Sequence, residues 1–164
     1  TDGRNFLHGG RITDEVNIDM PIMNQVGEFD CRYEVFRSND IYFNGKTMSV
    51  EELRRLYPNV ETIDLQMANM YGRVGHLGLD PLNISNLSKV DAAQAMISEV
   101  AKGNTLIYEM SITPKYAHAV AISKVRIYDN GRILLKFMNP SGAGGYRTSN
   151  LKNVRQIFSV FKIH

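Results

Sequence analysis

A thiol, an imidazole and two carboxamides, far apart along the chain, are the groups whose types fit one reaction. Cys31 is the only cysteine, and Gln25 stands six positions before it in the stretch from Met20 to Cys31. A thiol attacks an amide carbonyl as the thiolate, and a free pKa of about 8.5 leaves little of that form at neutral pH. Position supplies the help. A helix N-terminus favours negative charge, and a histidine within hydrogen-bond reach takes the proton to give a thiolate–imidazolium pair. His118 heads the apolar run 118–122 and suits the second task, while Gln25 suits the oxyanion that attack creates. A third polar group must fix the imidazole's tautomer and orientation. Asn139 closes another apolar run, 133–139, and is placed for that work.

These residues need elements to hold them. Tyr33, Val35 and Phe36 among polar neighbours predict a short helix over 31–37 with Asp30 as its cap. Asn44-Gly45 between 41–43 and 46–48 reads as a hairpin turn, because both residues tolerate positive φ. Ser49-Val50-Glu51-Glu52 is a capping box opening a helix that Pro58 stops. Three glycines and Pro81 make 60–82 read as loop around one short element. The clearest helix spans 89–102, with Val90, Ala93, Ile97, Val100 and Ala101 on one stripe and Gly103 as the stop. Strands are expected at 105–112, 118–128 and 132–138, with Asp129-Asn130-Gly131 turning the second into the third. A helical turn at 150–155 and a last strand at 156–163 complete the pattern, and 11–19 alternates enough for a short strand within an otherwise irregular lead-in, 1–20. Helices early and strands late make an α+β class.

Antiparallel pairing across the turn at 129–131 would set His118 beside Asn139. His118 lies about eleven residues before the turn centre and Asn139 about nine after it. A bulge is therefore expected to absorb the difference.

The chain has 164 residues, 43% hydrophobic and 22% charged, which fits one domain over 1–164 with a real core. A net charge of +2, with lysines and arginines scattered, lacks the footprint of a nucleic-acid binder. The apolar runs fall far short of the ~20 residues that cross a bilayer. No signal peptide is visible, a soluble protein is expected, and the start at Thr1 without a Met suggests a mature fragment or an excised domain of a longer polypeptide. His8, His76 and His164 have no cysteine or carboxylate at ligand spacing, so no metal or cofactor is expected. Gly142, Gly144 and Gly145 lack the following Lys-Ser/Thr of a phosphate loop. Glu51, Glu52, Arg54 and Arg55 read as a solvated helix face.

The nucleophile segment Asn24-Gln25-Val26-Gly27 to Cys31 resembles that of the papain-like cysteine peptidases, whose oxyanion glutamine stands six positions before the cysteine. Ala117-His118-Ala119-Val120 is similar to their histidine segment, and Phe137-Met138-Asn139-Pro140-Ser141-Gly142 with Gly145-Tyr146-Arg147 to their asparagine segment. The resemblance covers roughly 20–36 and 89–148. It implies a compact papain-like α+β fold, with an N-terminal helical part carrying Cys31 packed on a C-terminal antiparallel sheet carrying His118 and Asn139. It also implies Cys31 as nucleophile, His118 as base and acid, Asn139 as orienter and Gln25 as oxyanion donor. The substrate would be a protein or peptide. Arg32 stands where the family has tryptophan, and Pro140-Ser141 where it has Ser-Trp.

Asn139-Pro140 is also similar to compact bacterial papain-like domains that process leader peptides or serve as effectors and toxins. That likeness implies delivery into another cell as part of a longer protein, and an inhibitory or immunity protein as partner. Protease, glutamine deamidase and acyl transferase use the same groups, differing in how the cleft presents the carbonyl. The rival reading is a catalytically silent module that holds a peptide in a papain-like cleft. A lone cysteine is often a buried, inert hydrophobe. The charged flanks Asp30 and Arg32 predict instead that Cys31 is kept out of the core.

Overall fold

A computed structural model describes residues 10–24, 27, 30–58, 60, 65–111, 117–140, 146–150 and 159–164. The described elements are β1 (Ile12–Asn17), α1 (Cys31–Asn44), α2 (Val50–Leu56), α3 (Leu65–Arg73), β2 (Leu79–Pro81), α4 (Lys89–Ala101), β3 (Thr105–Ser111), β4 (Ala117–Tyr128), β5 (Ile133–Met138), β6 (Tyr146–Asn150) and β7 (Ser159–Ile163). The strands form one antiparallel sheet ordered β2-β7-β3-β4-β5-β6, with β1 also on β4. Helices of the first half and strands of the second give the α+β class expected.

β4 organises the sheet. One of its edges takes β5, from Ile127↔Ile133 to Ala121↔Met138. The other takes β1 along 124–128 and then β3 along 117–121, the two laid end to end. Two apolar layers pack around the sheet. Val35, Phe36, Leu53, Met67, Met70 and Tyr71 join Ile107, Ala119 and Ala121 in one, while Ala92, Ala93 and Met96 of α4 join Val120, Ile122 and Leu135 in the other. The alternation of partners along β4 is the period-2 rule of a strand buried on both faces. Phe36 and Tyr71 meet edge to face at 4.8 Å, both with no exposed surface, tying α1 to α3.

The helix carrying Cys31 is twice the expected length, and the hairpin at Asn44-Gly45 does not form. Gly45 takes φ 80° and its N–H bonds Ile41 O at 2.8 Å, so the same tolerance of positive φ that suggested a hairpin ends a helix. Polar side chains that would suit a loop find partners inside: Ser38 Oγ donates to Pro21 O at 2.6 Å, and Asn44 Nδ2 to Asp40 and to Gly75 O, each at 2.8 Å. The 60–82 region is likewise more regular than its glycines suggest, holding α3 and β2. Strand β6 was not foreseen. The helical turn expected at 150–155 begins inside β6 at Asn150, and 151–155 lie outside the described residues.

α2 and α4 start on Ser49 and Ser88, whose hydroxyls accept from Glu52 N at 3.2 Å and Asp91 N at 3.1 Å. Asn39 joins α1 to β3 in the interior: its Nδ2 donates to Val35 O at 3.0 Å, and Thr105 Oγ1 donates to its Oδ1 at 2.5 Å. Both residues are fully buried. Replacing Asn39 by alanine removes the acceptor and leaves a cavity, so Asn39→Ala is expected to cost about 2–3 kcal/mol. Urea unfolding should show a lower midpoint at unchanged slope.

Candidate active site

Asn139 reaches His118 because of one extra residue. From Ile127↔Ile133 to Lys124↔Lys136 the pairing of β4 with β5 is regular, and it then slips by one position before Ile122↔Phe137. This is the expected bulge, at Ser123. With Ala121 paired to Met138, Asn139 comes level with Val120 and shares a face with His118. Without the bulge it would come level with Ala121 and point to the opposite face.

The result is a contact of 2.6 Å between His118 Nε2 and Asn139 Oδ1, with His118 6% and Asn139 4% exposed. An amide oxygen only accepts, so Nε2 carries the proton and Nδ1 is left for another partner. That partner is Cys31, whose thiol hydrogen-bonds His118 at the start of α1. The backbone N–H of Ala119 donates to the same sulfur. Cys31, His118 and Asn139 are thus brought together from a helix start and two adjacent strands. Gln25 lies outside the described residues.

Burial and bonding pull the titrations in opposite directions. Burial pushes the Cys31 thiol up, but the His118 and Ala119 hydrogen bonds, with the His118 and Arg32 charges, bring it below the ordinary thiol value. Burial pushes His118 down, but its bonds to Cys31 and Asn139 and the thiolate's charge raise it above the ordinary imidazole value, against Arg32. One pKa falls and the other rises. A thiolate–imidazolium pair is the form both shifts favour, and its proton equilibria belong to the pair.

Cys31 is only 5% exposed, contrary to the expectation from its charged flanks. Asp30 and Arg32 go in with it, at 3% and 4%, because each meets an opposite charge. Arg32 faces Glu109 of β3 at 3.5 Å, and Asp30 is gripped by Arg54 of α2 at 2.5 Å. Paired charges tolerate burial where isolated ones do not. Glu52 and Arg55 pair on the solvated face the sequence predicts; Arg54 stays on that face, with 46% of its side chain exposed, and reaches from it to Asp30.

Asp30 is not the side-chain cap expected of it. It precedes α1 at φ −91°, ψ 4°, outside the extended region that capping residues use, and makes no side-chain cap bond. Its Oδ2 accepts instead from Gly27 N at 2.9 Å, while its own N–H donates to Gly27 O at 3.3 Å. A Cβ on Gly27 would sit 2.6 Å from that carboxylate oxygen, so a larger residue there would push the Asp30 side chain aside. Arg54, Glu109 and the Ala119 amide are not among the residues the sequence points to. The spacing of Gly27 and Asp30 is a usable signal that the two meet, whereas nothing local marks a backbone amide or a distant ion-pair partner.

Among the described residues, no group of three or more His, Cys, Asp or Glu side chains is placed to hold a metal ion. No helix among them is long and apolar enough to cross a membrane.

No protein-family model and no curated protein matches this sequence. Solved structures do. UfSP from C. elegans superposes with a TM-score of 0.58 at 12% identity, over 92% of this chain and 33% of UfSP, so the chain spans about a third of that protein's length. The peptidase domain of Streptococcus ComA, a bifunctional ABC transporter involved in a quorum-sensing pathway, superposes with a TM-score of 0.60 at 12% identity, over 87% of this chain and 95% of that domain. Helix-borne thiol, sheet-borne imidazole and the shared arrangement of elements lead to one conclusion: the chain has the papain-like cysteine peptidase fold.

Proposed function

We propose that this chain is a single papain-like domain that hydrolyses amide bonds of proteins or peptides through a thioester on Cys31. The observation that carries the reading is the imidazole bonded to both a thiol and a carboxamide, which has no structural need of the thiol's proton. Cys31 thiolate attacks the carbonyl, and its electrons move onto the oxygen. The Cys31 N–H at the first position of α1, where no intrahelical acceptor exists, and the Gln25 amide serve the oxyanion. Collapse expels the amine, which takes the proton from His118. Water then enters, gives a proton to His118, and releases the acid and the thiol. Asn139 holds the ring in one tautomer throughout.

Backbone cleavage is the reaction we favour, because the ComA domain that the chain matches nearly end to end is a peptidase. Glutamine deamidation uses the same steps on a side-chain amide. An effector or toxin role, with an immunity protein as partner, rests on the sequence resemblance. A silent peptide-binding module would keep the fold without the turnover.

Alkylation of Cys31 by iodoacetamide across pH separates these readings. The rate should rise through a pKa below the ordinary thiol range, and His118→Ala should return it toward about 8.5. Turnover should be bell-shaped, gained as Cys31 ionises and lost as pH climbs through the raised pKa of His118. A slow thiol indifferent to His118→Ala would leave the binding module.

For turnover itself, candidate proteins are incubated with the domain and their products weighed by mass spectrometry. New termini mean protease; a gain of about one dalton at glutamine means deamidase. Cys31→Ser should abolish either product, and His118→Ala should lower kcat by ~10²–10⁴. Products that survive Cys31→Ser would sink the thioester route.

A further inference from the structure

Beside the dyad lies a buried carboxylate that the reaction does not use. Asp30 directly precedes the nucleophile and is 3% exposed. An aspartate at a helix start ordinarily turns its carboxylate onto the first N–H groups, which strengthens the helix. Here that gain would oppose the chemistry. The negative charge would lie over the end of α1 that has to stabilise a thiolate, and the carboxylate would occupy donors an oxyanion needs.

The side chain is turned away instead. Arg54 Nη2 lies 2.5 Å from both Asp30 oxygens, Gly27 N–H bonds Oδ2 at 2.9 Å, and no bond from Asp30's side chain caps α1. Gly27 and Asp30 hold each other through two hydrogen bonds, Gly27 N–H to Oδ2 and Asp30 N–H to Gly27 O. α1 runs to fourteen residues and is anchored by its own C-cap and by Ser38, Asn39 and Asn44, so it does not depend on a side-chain N-cap.

We propose that Arg54 is a positioning residue for the nucleophile: it draws Asp30 off the start of α1 and neutralises it, leaving the helix N-terminus open to the thiolate and the oxyanion. This rests on the hydrolase reading above. Among the described residues, the other charged groups around Cys31 are His118 of β4, Arg32 with Glu109 of β3, and the Glu34–Arg37 pair one turn along α1, whose separation is 2.7 Å. Among these pairs, Asp30–Arg54 alone couples the residue next to the thiol to α2.

The test is the pH profile of iodoacetamide alkylation in the full chain, with thermal midpoints measured alongside. Arg54→Met frees the Asp30 charge, so the thiol's apparent pKa should rise and alkylation on the acid limb should slow about tenfold for each pH unit of displacement. Arg54→Lys should recover part of the rate. Asp30→Asn combined with Arg54→Met should recover most of it, since the charge is gone even though the clasp is too. Asp30→Asn alone, which keeps an acceptor for Gly27, should leave the thiol pKa no higher than in the wild type.

A profile unmoved by Arg54→Met while the thermal midpoint falls would make the pair purely structural and overturn the proposal. A double variant as slow as Arg54→Met, or a raised pKa in Asp30→Asn, would overturn it as well. If the wild-type profile is itself indifferent to His118→Ala, the hydrolase reading fails first, which is a distinct outcome from failure of the clasp.

Discussion

One imidazole, held at both ring nitrogens and shut away from water, is the constraint on which the site depends. Removing a thiolate or an imidazolium from water is costly, and burial alone would keep both groups neutral. Contact between them reverses that preference, and Asn139 adds to it by bonding the ring nitrogen that Cys31 does not use. The ionised pair is a property of the assembled fold. Take away the helix start, the strand or the carboxamide, and the remaining groups revert toward their ordinary protonation.

The surroundings follow from that requirement. A thiol flanked by Asp30 and Arg32 cannot be buried unless both charges are answered, and the partners come from α2 and β3. Glu109, which answers Arg32, is level with Ala119 across β3 and β4, and Ala119 donates its N–H to the sulfur. The same strand pair therefore supplies an ion-pair partner and a thiolate donor from adjacent backbone. Paired burial of this kind contributes little net stability and can even oppose it. Its use here is to fix where charge lies around one sulfur atom.

Much of this was legible in the sequence, for reasons that can be traced to particular residues. His118 and Asn139 end apolar runs on either side of a short turn, so antiparallel pairing had to bring them close, and counting residues from the turn exposed the need for a bulge. The stripe along 89–102 and the β-branched runs after it were plain because their periodicity extends over many residues. What was hidden depended on tertiary partners. Asn39, Asp40 and Asn44 look like loop residues until Thr105 and Gly75 are folded against them, and then they become the reason α1 continues. Arg54 belongs by pattern to an exposed helix face, and its orientation is set by a carboxylate twenty-four positions away. The burial of Cys31 is hidden for the same reason, since local charge says nothing about where its neutralising partner lies.

The end-to-end arrangement of β1 and β3 on one edge of β4 bears on how such a protein is made. Cys31 leaves the ribosome first, and His118 follows after just over half of the chain has been added. Among the described strands β1 pairs with β4 alone, and β4 is not flanked on both edges until β5 is present. During synthesis Cys31 therefore remains an ordinary thiol, mostly protonated and slow to react. The contact of Cys31 with His118 can form only once β4 is in place, and Asn139 joins it only with β5.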